Sequence, residues 1–296
     1  MAERRARRKS LKNRPAPRSE RLQSGLSLIP SLFTIGNMFC AYFSVISTFK
    51  GNYDHAAMAI GVGVVLDGLD GRIARMTQTS SEFGVQLDSI ADVLTFGIAP
   101  AVLAFVWGQN HIAVLGSAAA AVQDFRGSVQ QYATVHLRQW SWIVTFVFMI
   151  CGGWRLARFN VQSQNPLDTG GKRNFVGLPI PAGAGLLAAI VHFFKSPIVD
   201  VIPAMFWYLL VLLTGFLMAS TVRYPSFKEL HFLKRGSRLT LFATASLIGL
   251  IYFYSEVMLL LISMIYVSSG LVMQTLRRFS PPAPALGEPA HGNIKT

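Results

Sequence analysis

The 296-residue chain is predicted to fold as an all-α, polytopic integral membrane bundle of about eight transmembrane helices. Three observations predict it. The composition is 52% hydrophobic and only 14% charged, with a mean hydropathy of +0.42, above the usual range of soluble globular domains. Apolar runs of spanning length recur along the chain. Lys and Arg gather in every second connection between those runs.

Taken in order, the apolar runs lie at about 27–49, 55–71, 85–107, 141–160, 179–194, 199–219, 239–254 and 256–275. Ahead of them, residues 1–25 form a basic arm. Nine of the 27 Lys and Arg fall between Arg4 and Arg21, together with Pro15 and Pro17. Such a segment is expected to be disordered and cytosolic, drawn to anionic lipid. It lacks the interleaved aromatics of a base-stacking surface, so no nucleic acid is expected as a partner. No cleavable signal peptide is expected, because the first apolar run starts late and has no A-x-A-like site. The membrane domain is assigned to 26–276, and the Pro- and Ala-rich segment 277–296 to a disordered tail.

With a cytosolic N-terminus and eight alternating spans, only Lys50, Arg126, Arg138 and Lys195 of the Lys and Arg residues fall outside. That bias predicts a cytoplasmic-membrane protein with both termini in the cytosol. The polar stretch Gln109–Trp140 then lies on the outer side and has the composition of a short interfacial amphipathic helix, with no catalytic part. Cys40 and Cys151 are isolated in apolar runs and read as packing residues. His55, at the outer end of the second run, is assigned no role.

The chemistry concentrates between Leu66 and Pro100. Asp67, Asp70, Gly71 and Ala74 fall at i, i+3, i+4 and i+7, one face of a helix. Gly84, Asp88 and Asp92 fall at i, i+4 and i+8 on the next, after the short turn Thr77–Glu82. So short a connection predicts antiparallel neighbours whose acidic faces meet near the cytosolic mouth. Four unpaired aspartates inside a membrane would cost on the order of 10 kcal/mol. Two divalent cations would neutralise them. Mg²⁺ and Mn²⁺ both accept carboxylate and water ligands, and paired ions suit in-line phosphoryl displacement. Gly71 and Ala74 leave room for a nucleotide or pyrophosphate beside the helix backbone. Other readings compete: aspartates that are surface residues at helix ends or pair with Arg72 and Arg75, and an ion-coupled transporter, since intramembrane carboxylates also mark ion pathways. No second acidic span and no inverted repeat supports the transporter.

The pattern Asp67-x-x-Asp70-Gly71-x-x-Ala74-Arg75, eight residues, then Gly84-x-x-x-Asp88-x-x-x-Asp92 resembles the CDP-alcohol phosphatidyltransferase signature at every position. Within that family, Leu87–Asp92 with Phe96–Pro100, Arg155–Asn160 and Phe175–Pro181 resemble the phosphatidylserine synthase branch, as do Pro30, Thr34 and Asn37. The resemblance covers about residues 26–275.

It implies transfer of the phosphatidyl group of CDP-diacylglycerol to the hydroxyl of L-serine, with release of CMP. It further implies that Asp67, Asp70, Asp88 and Asp92 hold Mg²⁺ or Mn²⁺ in a two-metal site. Asp92 would also be the base, while Asp67, Asp70, Gly71, Ala74, Arg75 and Gly84 line the CDP site. Family members resemble homodimers in a lipid bilayer. A hydroxyl is a weak nucleophile, so a carboxylate base within reach agrees with that role for Asp92. Arg155 and Arg158, at i and i+3, are candidates for the lipid phosphate or the serine carboxylate, because guanidinium forks fit both anions. Snorkelling anchors are the plainer reading of the pair. Asn160 and Lys172 read as structural. The signature is shared by sister enzymes that use glycerol 3-phosphate, an inositol phosphate or choline, so the acceptor stays open among these.

Overall fold

A computed structural model of the chain describes residues 28–77, 82–119, 125–164, 175–224, 245–246 and 249–279. The arm, Lys172, Arg173 and residues 280–296 lie outside the described residues. The elements are α1 (Leu28–Phe49), α2 (Tyr53–Thr77), α3 (Glu82–Asp92), a π-helical turn (Val93–Ile98), α4 (Ala99–Ala119), α5 (Phe125–Gln164), β1 (Phe175–Val176), α6 (Ile180–Phe194), α7 (Val201–Ala219), β2 (Arg223–Tyr224) and α8 (Ser255–Phe279). The all-α expectation holds. The two strands are two residues each and pair antiparallel, Phe175 opposite Tyr224 and Val176 opposite Arg223.

Five helical stretches are long and apolar enough to cross a membrane: Leu32–Phe49, Phe83–Gln109, Val135–Gln162, Val201–Ala219 and Ser255–Leu276. Their outward faces carry Phe39, Phe43, Phe146, Ile150, Phe206, Leu213 and Ile265 exposed, a belt that only lipid can cover over such an area. The chain is an integral membrane protein. α2 has the length to span but interrupts its apolar run with Asp67, Asp70, Arg72 and Arg75; α6 is apolar but has 15 residues. Of the run expected at 239–254, only residues 245–246 and 249–254 are described. Tyr224 packs on Tyr266 of α8, and Ser255 at the start of α8 meets His192 near the C-terminus of α6.

Two boundaries differ from expectation. Residues 277–279 continue α8 instead of beginning the tail. Among the described residues, the polar stretch Gln109–Trp140 forms no separate interfacial helix: α4 runs on to Ala119 and α5 begins at Phe125. No proline occurs from Ala101 to Asn165, so both helices can run on past the apolar stretches. At 40 residues α5 is about 60 Å long, twice the hydrocarbon thickness of a bilayer, so its first turns project beyond it.

The core is built where small residues allow close approach. Ala56, Ile60 and Gly63 of α2 form one buried stripe against Asn37, Ala41 and Ser44 of α1. The Ser44 hydroxyl donates to the Ala56 carbonyl (2.9 Å). α4 and α7 are joined by an edge-on pair, Trp107 and Trp207 (centroids 4.8 Å apart), and by the Trp207 indole N–H donating to the Ala104 carbonyl (3.0 Å). Gly108 is required at this crossing, because a Cβ there would lie 2.6 Å from the Tyr208 hydroxyl oxygen.

Candidate active site

The stripe that packs α2 on α1 continues, one turn at a time, from Gly63 to Asp67 and Asp70. Asp70 is thereby buried against α1, 4% exposed, with the Thr34 hydroxyl 3.4 Å from Oδ2. α3 also packs on α1, and the π turn is tied to it by the Thr95 hydroxyl donating to the Asn37 carbonyl (3.1 Å). α1 therefore serves as the common support. α2 and α3 approach α1 more closely than they approach each other, which leaves a cleft between the two acid-bearing helices.

Side chains from both walls meet in that cleft. One oxygen from each of Asp67, Asp70 and Asp88 lies within 4.8 Å of the others, a spacing that suits a bound cation. Asp92 is in side-chain hydrogen-bonding contact with Asp67. Asp88 Oδ1 and Asp92 Oδ1 are buried and have no hydrogen-bond partner. Among the described residues no Lys or Arg nitrogen is ion-paired to any of the four, and Arg72 is exposed on α2. Pairing with Arg72 is thus excluded; the side chains of Ala74 and Arg75 lie outside the described residues. Four carboxyl groups so placed demand positive charge, since buried carboxylates without partners are costly. Hard divalent cations fit this all-oxygen donor set.

The two arginines part company. Arg155 is 8% exposed, its Nε has no partner, and its electrostatic neighbours include Asp92 and Tyr266. It faces the cleft. Arg158 instead gives Nη2 to the Ser220 carbonyl at the end of α7 (3.3 Å). That contact sits beside Gly177, where φ is +86° and a Cβ would lie 2.4 Å from the Met218 carbonyl oxygen. Gly177 N–H donates to the Val222 carbonyl (2.8 Å) and Leu178 N–H to the Leu217 carbonyl (3.0 Å). The Phe175–Pro181 segment is therefore a backbone clasp that holds the start of α6 against the end of α7. Asn160 donates to the Ser89 hydroxyl (3.0 Å), one residue from Asp88, and so ties α5 to the acid-bearing wall.

The structure brings together the carboxylates that share helical faces in the sequence, and it separates Arg155 from Arg158, which the sequence does not. Sequence reading gives no role to Tyr266, which looks like any aromatic in an apolar helix until α8 is seen beside Arg155. His55 is exposed at the far end of α2, and Cys40 and Cys151 are unpaired thiols.

A family model described as CDP-alcohol phosphatidyltransferase matches residues 27–222. A CDP-diacylglycerol–serine O-phosphatidyltransferase of Helicobacter pylori is 33% identical over 210 residues, 69% of this chain and 74% of that protein. A protein of the same name from Bacillus subtilis is 32% identical over 207 residues, 69% of this chain and 93% of its own. An archaetidylserine synthase of Methanothermobacter thermautotrophicus is 31% identical over 199 residues, 67% of this chain and 69% of its own.

Proposed function

The chain belongs to the CDP-alcohol phosphatidyltransferase family, and from that premise we propose that it transfers the phosphatidyl group of CDP-diacylglycerol to L-serine, forming phosphatidylserine and CMP. The observation that carries the reaction type is the buried and half-buried cluster of Asp67, Asp70, Asp88 and Asp92, ion-paired to no Lys or Arg among the described residues, inside the family-matched segment. What supports serine as acceptor is the name borne by the relatives from Helicobacter pylori and Bacillus subtilis.

Asp67, Asp70, Asp88 and Asp92 would hold two divalent cations, Mg²⁺ or Mn²⁺. When bound, such ions supply charge stabilisation for the attacking and leaving oxygens of an in-line displacement. The chain's own groups do the rest. Gly71, Ala74, Arg75 and Gly84 receive the CDP moiety, Gly71 and Ala74 by leaving the helix backbone open to it. The serine hydroxyl oxygen attacks the β-phosphorus, and the bond from that phosphorus to the oxygen bridging it to CMP breaks. CMP leaves with the bonding electrons, and the hydroxyl proton passes to Asp92. Arg155, facing the cleft, binds the lipid phosphate or the serine carboxylate; Arg158 holds the α7 end in place. The mouth faces the cytosol, in accord with the distribution of Lys and Arg.

The test is CMP release by purified protein in detergent with CDP-diacylglycerol and Mg²⁺ or Mn²⁺, offered L-serine, glycerol 3-phosphate, inositol phosphate or choline in turn. Serine-dependent release is the expected result. Release with a different acceptor overturns the serine assignment and keeps the chemistry, whereas no release with any acceptor from folded, metal-loaded protein overturns both.

A further inference from the structure

Asn37 sits fully buried, 0% exposed, in the middle of α1, and neither Oδ1 nor Nδ2 of its carboxamide has a hydrogen-bond partner. Its neighbours on the same stripe of α1 are all satisfied. Thr34 is bonded to Asp70, Ser44 to the Ala56 carbonyl and Thr48 to the Ser44 carbonyl. An amide buried with all its capacity unused is costly, and an apolar residue of the same shape would remove the cost.

Among the described residues, buried side-chain polar atoms without a partner are few: those of Asn37, Asp88 Oδ1, Asp92 Oδ1, Arg155 Nε and Trp107 Nε1. All but the indole belong to the carboxylate cleft or border it. The acids suit cations and the guanidinium suits an anion; Asn37 is the neutral member, able both to donate and to accept.

Its position says what it meets. The carboxamide lies in a slot under Gly63 of α2 and Thr95 of the π turn: a Cβ at Gly63 would fall 2.9 Å from Asn37 Oδ1 and 2.6 Å from Thr95 Cγ2. Gly63 is one helical turn before Asp67, and Thr95 one turn after Asp92. Asn37 is therefore the floor of the cleft. Gly71 and Ala74, which receive the nucleotide, lie on the other side of the carboxylates along α2. In-line displacement requires the nucleophile to arrive opposite the leaving group. With CMP leaving on the Gly71 side, the attacking alcohol arrives on the Gly63 side.

We infer that the Asn37 carboxamide is an acceptor-binding group, hydrogen-bonded to the small polar alcohol substrate at the floor of the cleft, with Gly63 kept free of a side chain so that the carboxamide fits beneath α2. The inference rests on the proposed transferase reading and on its assignment of the nucleotide to Gly71 and Ala74.

The experiment compares wild type with Asn37→Leu and Asn37→Ser in the CMP-release assay, with KM measured separately for serine and for CDP-diacylglycerol. Mn²⁺ affinity is read by electron paramagnetic resonance and stability by thermal unfolding in detergent. In Asn37→Leu the KM for serine rises about tenfold or more, the worth of one good hydrogen bond, while the KM for CDP-diacylglycerol and the Mn²⁺ affinity stay within about twofold. The melting temperature is unchanged or higher, because an unpaired amide has been removed. Asn37→Ser, which keeps a hydroxyl, shows a smaller rise and carries the test if the leucine variant does not fold. An unchanged serine KM overturns the inference, and so does an activity loss matched by weaker Mn²⁺ binding or by a lower melting temperature. A wild type that releases no CMP with serine overturns the transferase reading itself and the inference with it, a result distinct from either variant's behaviour.

Discussion

Polar side chains gather at both ends of the bundle, and the two gatherings are built on opposite terms. At the end remote from the acids, the outer end if the cleft end is taken as the inner, His192 of α6 bridges Asp54 of α2 and Ser255 of α8: its Nδ1 is hydrogen-bonded to the Asp54 carboxylate and its Nε2 to the Ser255 hydroxyl (3.0 Å). Lys195 and Glu256 form an ion pair alongside (2.5 Å). Serine, histidine and aspartate in that order are the parts of a hydrolase triad. Yet none of the three has a buried polar atom left without a partner. At the inner end, Asp88, Asp92 and Arg155 all do, as does Asn37 at the floor of the cleft. The outer network spends its hydrogen bonds on joining three helix ends; the inner one holds them in reserve. Buried polar groups that satisfy one another stabilise a fold, whereas groups left wanting mark the place where something else binds.

That contrast can be broken by mutation, most forcefully at the base. Asp92→Asn is expected to lower CMP release by at least about 10²-fold with the melting temperature preserved, the usual size of a lost general base. A variant that keeps more than a tenth of the activity would remove Asp92 from that role. Chelation comes next. EDTA should abolish activity, Mg²⁺ or Mn²⁺ should restore it, and Asp70→Asn should weaken Mn²⁺ binding measured by calorimetry without unfolding the chain. Activity that survives chelation, with Mn²⁺ binding intact in Asp70→Asn, would leave the acidic cleft without its cations.

The outer end should answer in stability instead. His192→Ala leaves the Asp54 carboxylate and the Ser255 hydroxyl without their partner, and is expected to cost about 1–3 kcal/mol, read as a lower melting temperature. CMP release per folded molecule at a permissive temperature should stay within about threefold. An equal loss of activity and no loss of stability would reverse the comparison. Smallest of all is Lys195→Ala. The hydrogen bond to Glu256 holds the Lys195 ammonium above its ordinary pKa, so any benefit of the pair is present at neutral pH and lost only as pH rises through that alkaline range. Both partners are largely in solvent, and no change in melting temperature at neutral pH is expected.

The sequence shows the difference between the two ends only in part. The inner acids are legible because Asp67, Asp70, Asp88 and Asp92 share helical faces at fixed spacing. The spans are legible from hydropathy, and so is the bias of Lys and Arg. The outer bridge is not, because Asp54, His192 and Ser255 are isolated residues up to about 200 positions apart that only packing brings together. Arg155 and Arg158 differ by three positions and look equivalent; what separates them is the backbone clasp at Gly177, whose left-handed φ no periodicity records. The extent of α5 was missed for another reason. Hydropathy marks where a helix enters lipid, not where its hydrogen bonding stops, and polar residues continue a helix as readily as apolar ones.

The six residues of π-helix between Asp92 and Ala99 carry a last consequence. Counted at 3.6 residues per turn, Asp88, Asp92, Phe96, Ala99, Leu103 and Trp107 would share one stripe, and the acids would point into the same apolar interior as the tryptophan. A π turn takes up about one extra residue, which swings all that follows by roughly 100°. Angular phase, not residue type, thus decides which way the acids look. Exchange of one apolar side chain for another along Val93–Ile98 should be borne easily, but deletion of a single residue there would rotate the anchored half against the reactive half while leaving every acid in the chain. In this stretch the number of residues is under tighter constraint than their identity.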